Sequence, residues 1–172
     1  MRIKPIYTIN LNAKLLFRFF EGMIAVVQRV SEASVTIDKE IKASIGLGIM
    51  LLLGIEESDG NDDIEWLSRK IINMRIFPDD EGVMNLSILE AGGNVLVVSQ
   101  FTLQASTKKG NRPSYIKAAR PETAIGLYKK FIDQISIDIG RTVETGEFGA
   151  DMQVSLINDG PVTILIDTKN KK

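Results

Sequence analysis

This 172-residue chain contains no cysteine and no histidine. Without thiols there is no disulfide framework and no thiolate nucleophile. Without imidazole there is no Ser-His-Asp or Cys-His hydrolysis, no general base poised near neutral pH, and none of the commonest zinc ligands. A hydrolase built from these residues has to work through hydroxyls, carboxylates, lysines, backbone donors or groups on its own substrate. Lysine and arginine number 21 against 22 acids, a net charge of −1. No global basic field argues for nucleic acid, so any such contact must come from a local patch. No apolar run reaches the roughly 20 residues of a membrane-spanning helix, and we expect no membrane partner and a cytoplasmic location. What the chain does have is apolar residues, 44% of the total. At this length that is enough for one sizeable core and too little for two comfortable ones.

Residues 1–22 differ in character from the rest. They carry Arg2, Lys4, Lys14 and Arg18 with no acid before Glu21, and an apolar patch around Leu15, Leu16, Phe17, Phe19 and Phe20. Basic, acid-poor segments serve as targeting peptides. The plainer reading is a translation start at Met23. We therefore expect an extension over 1–22 and a single domain over 23–172.

Residues 24–30 and 33–37 read as a pair of strands, followed by 41–45 and by 49–55, a continuous apolar run of the kind found in buried strands. Asp59, Asn61, Asp62 and Asp63 supply capping residues and early acids for a helix running to about Met74, with Ile64, Leu67, Ile71 and Met74 at helical spacing. A turn at 78–82 leads to the strand 95–98. Pro121 opens a second helix at a position proline tolerates, and Ala124, Ile125, Tyr128, Phe131, Ile132 and Ile135 form its buried face. Strands near 142–144, 153–157 and 162–166 close the chain. Many strands, two main helices and no βαβ alternation indicate an α+β fold of layered antiparallel or mixed sheets. The acids 59–63 and 79–81 read as a helix start and a turn, and their spacing matches no EF-hand loop.

Two segments carry chemical information. Asn158, Asp159, Gly160, Pro161, Val162 and Thr163 interrupt two β-branched runs. Proline cannot donate to a β-ladder, glycine permits backbone angles closed to other residues, and an X-Pro bond is where a cis peptide is tolerated. A tight turn between two strands is the plainer account. Ser99, Gln100, Phe101 and Thr102, followed by Leu103, close an apolar strand, where sheets often present functional groups. Thr102 is a nucleophile by residue type but has no histidine to serve as its base. Backbone N–H groups at Phe101 and Thr102 can instead stabilise the oxyanion of an ester under attack. Lys108, Lys109, Arg112, Lys117 and Arg120 give 108–120 five cations and no acid. Such a run is usually a solvated face, and beside 99–103 it is a candidate contact for phosphates.

Together these segments resemble the D-aminoacyl-tRNA deacylase family, in order and spacing, over about 23–168. The resemblance implies an editing esterase that cleaves D-aminoacyl-tRNA, and also glycyl-tRNA(Ala), because glycine has no side chain to reject. It implies a homodimer in which the cis Gly160-Pro161 pair of one subunit enters the pocket of the other and excludes L-amino acids. Asn158 and Thr163 shape that turn, and Arg29, within Gln28-Arg29-Val30, anchors it. Phe148, Gly149, Ala150 and Met152 line the pocket. Ser99, Gln100, Phe101 and Thr102 are the catalytic segment, in which the Thr102 hydroxyl, backbone donors and the substrate's vicinal ribose hydroxyl all stand as contributors. Lys108, Lys109 and Arg112 would meet tRNA. We expect no cofactor and no metal. Two other readings compete: a non-catalytic RNA-binding module using the basic loop, and a metal-dependent hydrolase using the acidic clusters.

Overall fold

The computed structural model describes residues 22–171; the expectation for an N-terminal extension falls, up to residue 21, outside them. The fold is organised on one long strand, β1 (Ile24–Ile37). A two-residue turn with positive φ at Asp38 and Lys39, a geometry suited to tight hairpins, returns it as β2 (Glu40–Ile45). Strand β3 (Gly48–Gly54) pairs antiparallel with the first half of β1, and β2 with the second half. Strand β8 (Gln153–Asp167) runs antiparallel along the other side of β1 for nearly its whole length. Beyond β3 the sheet continues in parallel through β6 (Asn94–Ser99) to β7 (Glu144–Thr145). A short hairpin, β4 (Phe77–Pro78) with β5 (Met84–Leu86), stands apart.

Helices α1 (Asn61–Asn73) and α3 (Pro121–Ile139) pack together on one face of the sheet. Alternation along the strands decides what they cover. Ala25, Val27, Ile49, Leu51, Val95 and Val97 meet Leu67 and Ile71 of α1 and Leu127, Phe131 and Ile135 of α3. Met50, Leu96 and Val98 point to the opposite face, into a smaller cluster with Val30, Val35 and Ile45. Phe131 and Leu67 are completely buried, and truncating either to alanine removes roughly 3–5 kcal/mol.

The acids of the α1 entry act as backbone acceptors. Asp63 Oδ2 accepts from Gly60 N–H at 3.0 Å and Asp59 Oδ2 from Glu56 N–H at 2.8 Å. Asp79 Oδ1 accepts from Glu81 and Val83 N–H at 3.0 Å each, closing the 79–83 turn. Helix α3 starts at Pro121, and its entry is tied from outside by Glu57, which accepts from Arg120 N–H at 2.9 Å and the Thr123 hydroxyl at 3.0 Å. It ends at Gly140, whose φ of 73° is the left-handed cap glycine favours. Among the described residues no helix is long and apolar enough to cross a membrane.

The mixed α+β layering matches the expectation, and three local readings need correction. Residues 24–30 and 33–37 are one strand, because β8 pairs with β1 across the junction, at Val30 and at Glu32. Residues 153–157 and 162–166 are likewise one strand, β8, with the Gly-Pro pair carried as a bulge. The connection from β3 through α1 to β6 is a crossover between parallel strands, which the lack of βαβ alternation did not lead us to expect. Helix α2 (Ile88–Ala91) was also unforeseen, although Ser87 and Glu90 form the reciprocal capping pair that marks a helix start.

Candidate active site

Strand β6 ends at Ser99, and the chain turns directly into a 3-10 helix, Phe101–Gln104. Gln100 N–H donates to Leu53 O at 2.7 Å and docks the turn on the end of β3. Gly54 makes this approach feasible, since a Cβ there would stand 2.8 Å from Leu103 Cβ and 3.1 Å from Gln100 O. Leu103 N–H donates to Gln100 O, and Ala105 N–H to Thr102 O, both at 3.1 Å. The amides of Phe101 and Thr102, which open this helix, have no intrahelical carbonyl within reach. The Gln100 side-chain amide donates to Thr102 Oγ1. Among the described residues no carboxylate or amine bonds that hydroxyl, so no base stands ready to activate Thr102 as a nucleophile.

Two further segments complete a cavity of roughly 670 Å3. Phe148, Gly149, Ala150, Asp151 and Met152 form the facing wall. Met152 lies over Gly146, where a Cβ would meet its sulfur at 2.5 Å. The third wall is Tyr115, Ala118, Ala119 and Arg120. It is held by Ala119 N–H donating to Ile55 O at 2.9 Å and by a bridge between Glu56 and Ala118. At the rim Phe101, 58% exposed, meets Tyr115 edge-on with ring centroids 5.1 Å apart. The lining is mostly apolar, with polar groups at Ser99, Gln100, Arg120 and Asp151.

The expected site residues divide into three groups. Ser99, Gln100, Phe101, Phe148, Gly149, Ala150 and Met152 line the cavity, with Thr102 adjoining them. Lys108, Lys109 and Arg112 lie at the exposed tip of a hairpin whose stem is the Ser106–Ser114 bridge, next to Tyr115 of the third wall. Arg29, Asn158, Gly160, Pro161 and Thr163 are not among the residues that line this cavity. They form a bulge where the β1–β8 register jumps, with Val30 opposite Asn158 and Gln28 opposite Thr163. Asn158 spans it, accepting from Val162 N–H at 2.8 Å and donating to Thr163 Oγ1 at 2.9 Å. The Arg29 Nε–H donates to Asp159 O at 3.0 Å and lies 3.1 Å from the Asp159 carboxylate, while Nη1 donates to Ile76 O at 2.6 Å. The Gly160-Pro161 peptide is cis, and both residues are exposed.

Sequence reasoning missed the third wall and the cavity floor at Leu53, Ile55 and Val154. Tyr115 and the alanines have no catalytic side-chain chemistry, and only the fold brings them to Ser99. Arg120 was legible, as part of the basic run.

A family described as D-Tyr-tRNA(Tyr) deacylase matches residues 26–167. The chain belongs to that family. It is 64% identical over 150 residues to a protein of Bacteroides thetaiotaomicron named D-aminoacyl-tRNA deacylase, a match covering 87% of this chain and all of the relative. A protein of the same name from Flavobacterium psychrophilum is 63% identical, with the same coverage. The solved structure of a c-Myc DNA Unwinding Element Binding Protein superposes with a TM-score of 0.80 at 43% identity, over 84% of this chain and 97% of its own. A probable eukaryotic D-amino acid tRNA deacylase superposes at 0.72 over 84% and 98% of the two chains. At 16% identity, that second likeness speaks for the fold alone.

Proposed function

We propose that this protein hydrolyses the ester joining a D-amino acid to tRNA, that the cavity beneath 99–102 is where it does so, and that a second copy of the chain completes the site. Family membership and relatives named for the activity support the reaction class. The observation that carries the site is the pair of amides at Phe101 and Thr102, placed beside an apolar cavity with Ser99 and Gln100 at its edge. Attack on the ester carbonyl places negative charge on its oxygen, and fixed N–H donors stabilise that charge without reorganising. The attacking oxygen comes from water; its proton is relayed through the substrate's vicinal ribose hydroxyl, which gives its own to the departing ribose oxygen as the acyl–oxygen bond breaks. The products are free amino acid and tRNA. Thr102 has the role of an oriented hydroxyl that fixes the turn, since no base accompanies it.

Selection against L-amino acids is assigned to Gly160 and Pro161 of the partner subunit. Three features support this. The bulge lies outside its own chain's cavity, it is exposed, and Arg29 and Asn158 hold it rigidly. Among the described residues the strand that carries it pairs on one side only, and an open 15-residue edge is a ready template for another chain. Ile157 and Leu165, which flank the bulge, are 54% and 51% exposed. A filter that works by excluding a side chain has nothing to exclude in glycine, so glycyl-tRNA(Ala) is a substrate as well. Lys108, Lys109 and Arg112 supply contacts to tRNA phosphates. The deacylase domain is assigned to 23–172 and its place of work to the cytoplasm.

The test is release of amino acid from D-Tyr-tRNA and L-Tyr-tRNA in parallel. We expect turnover of the D ester alone. Equal hydrolysis of both, or binding without turnover, would overturn the reading.

A further inference from the structure

Helix α3 places one buried hydroxyl against strand β6. Tyr128 is 4% exposed, and its hydroxyl donates to Val97 O at 2.9 Å. The same carbonyl accepts Gly146 N–H at 3.0 Å. Val97 lies two residues before Ser99, and Gly146 leads into the wall that begins at Phe148. The Tyr128 ring also packs on Phe148, with centroids 5.7 Å apart and planes tilted by 55°. One helical turn earlier, on the same face of α3, Ala124 lines the cavity. One side chain therefore touches both the strand that ends in the catalytic turn and the wall opposite it. Burial holds the phenol well above its ordinary range, so the hydroxyl remains a donor to Val97 at any pH at which the enzyme works. A hydroxyl in this apolar surrounding is costly unless bonded; phenylalanine would fill the same volume without that cost.

We propose that Tyr128 is a positioning residue for the hydrolysis: its hydroxyl fixes the end of β6 that presents Ser99–Thr102, and its ring fixes Phe148 in the opposite wall. It touches no reacting atom. The inference rests on the cavity being the reaction site, and it predicts that the two parts of the side chain act on different kinetic parameters. Hydroxyl removal loosens the donors that meet the developing oxyanion and lowers kcat. Ring removal loosens a wall that holds the bound substrate and raises KM.

The test compares Tyr128→Phe, Tyr128→Leu and Ala150→Phe, the last a plug for the cavity, on D-Tyr-tRNA, with melting temperature measured on each preparation. Tyr128→Phe keeps the ring contact and is expected to fold. Its kcat should fall about tenfold with KM little changed, a displacement of the catalytic donors being enough for that loss. Tyr128→Leu should add a severalfold rise in KM, and Ala150→Phe should abolish turnover while remaining folded. If Tyr128→Phe lowers only the melting temperature, with kcat and KM intact, while Ala150→Phe abolishes turnover, Tyr128 is merely structural and the inference falls. If Ala150→Phe folds and retains full turnover, the reaction lies elsewhere, and the cavity assignment falls with it.

Discussion

The turn after β6 and the bulge in β8 face different things. The turn is docked on β3 through Gln100 and Gly54, and it opens onto a cavity built by its own chain. The bulge is held just as firmly, by Arg29 and Asn158, but lies outside the lining of that cavity, on a strand whose outer edge is open among the described residues. Both are loops by composition, and both owe their shape to hydrogen bonds from neighbouring elements. The difference is completeness: the first has walls around it, and among the described residues the second has none. A rigid, exposed bulge flanked by Ile157 and Leu165 is what a contact element for a second copy requires.

Outside the cavity itself, the largest effect we expect comes from Gly160→Ala. A Cβ at this position, where φ is 130°, would stand 2.8 Å from both Arg29 Nη2 and Val162 Cγ2. The bulge must then distort, lowering turnover of D-Tyr-tRNA by about a hundredfold, as expected when a positioning element shifts. The same crowding costs roughly 1–3 kcal/mol of stability, so melting temperature falls as well. Loss of stability with turnover preserved would reduce the bulge to a structural feature.

Next in size is Leu165→Glu. This adds a charge at an exposed position of β8 and leaves the cavity untouched. Sedimentation should show a shift toward monomer, and turnover should fall in parallel. A fully active monomer would break the division of labour between the two regions.

Replacing Lys108, Lys109 and Arg112 together with alanine sharpens the comparison from the side of the turn. Affinity for tRNA should weaken, and its salt dependence should flatten by about two to three in logarithmic slope, near one per lost phosphate contact. An unaltered slope removes this hairpin from the tRNA contact.

The smallest effect lies away from both regions. Burial raises the Asp59 carboxyl to about 7, with Asp63 adding to it and the backbone bond from Glu56 and the charge of Lys169 opposing. Between the usual carboxylate range and about pH 7 the unfolded chain has released this proton and the folded one retains it. The folded state binds more protons there, so this group makes stability fall as pH rises through that window. Asp59→Asn should gain melting temperature over the parent as pH rises from 4 to 7, with turnover unchanged; a constant gap across that range would contradict the assignment.

The layering was legible because periodicity reports burial. The runs 49–55 and 95–98 are buried strands, and α1 and α3 start near the acids and the proline that mark them. The β8 strand was not, because Pro161 cannot pair and Gly160 favours bends, so the local signal at the bulge reads as a turn; pairing with β1 on either side overrides it. Ser99 and Gln100 were found because their polarity interrupts an apolar run. The 3-10 geometry at 101–104 depends on docking against Leu53 and Gly54, nearly 50 residues earlier in the chain, and no local pattern encodes it. The same holds for Tyr128, whose helical spacing marks it as core and nothing more.

The most direct test of the central claim, that one chain's cavity is completed by the other chain's bulge, is complementation between two inactive variants. Ala150→Phe blocks a cavity and leaves its bulge intact, and Gly160→Ala does the reverse. Each alone should be nearly inactive. After mixing and exchange, a mixed dimer contains one unplugged cavity facing one intact bulge, and random pairing returns about a quarter of the wild-type rate on D-Tyr-tRNA. Mixed dimers verified by co-purification that recover no activity would contradict the account.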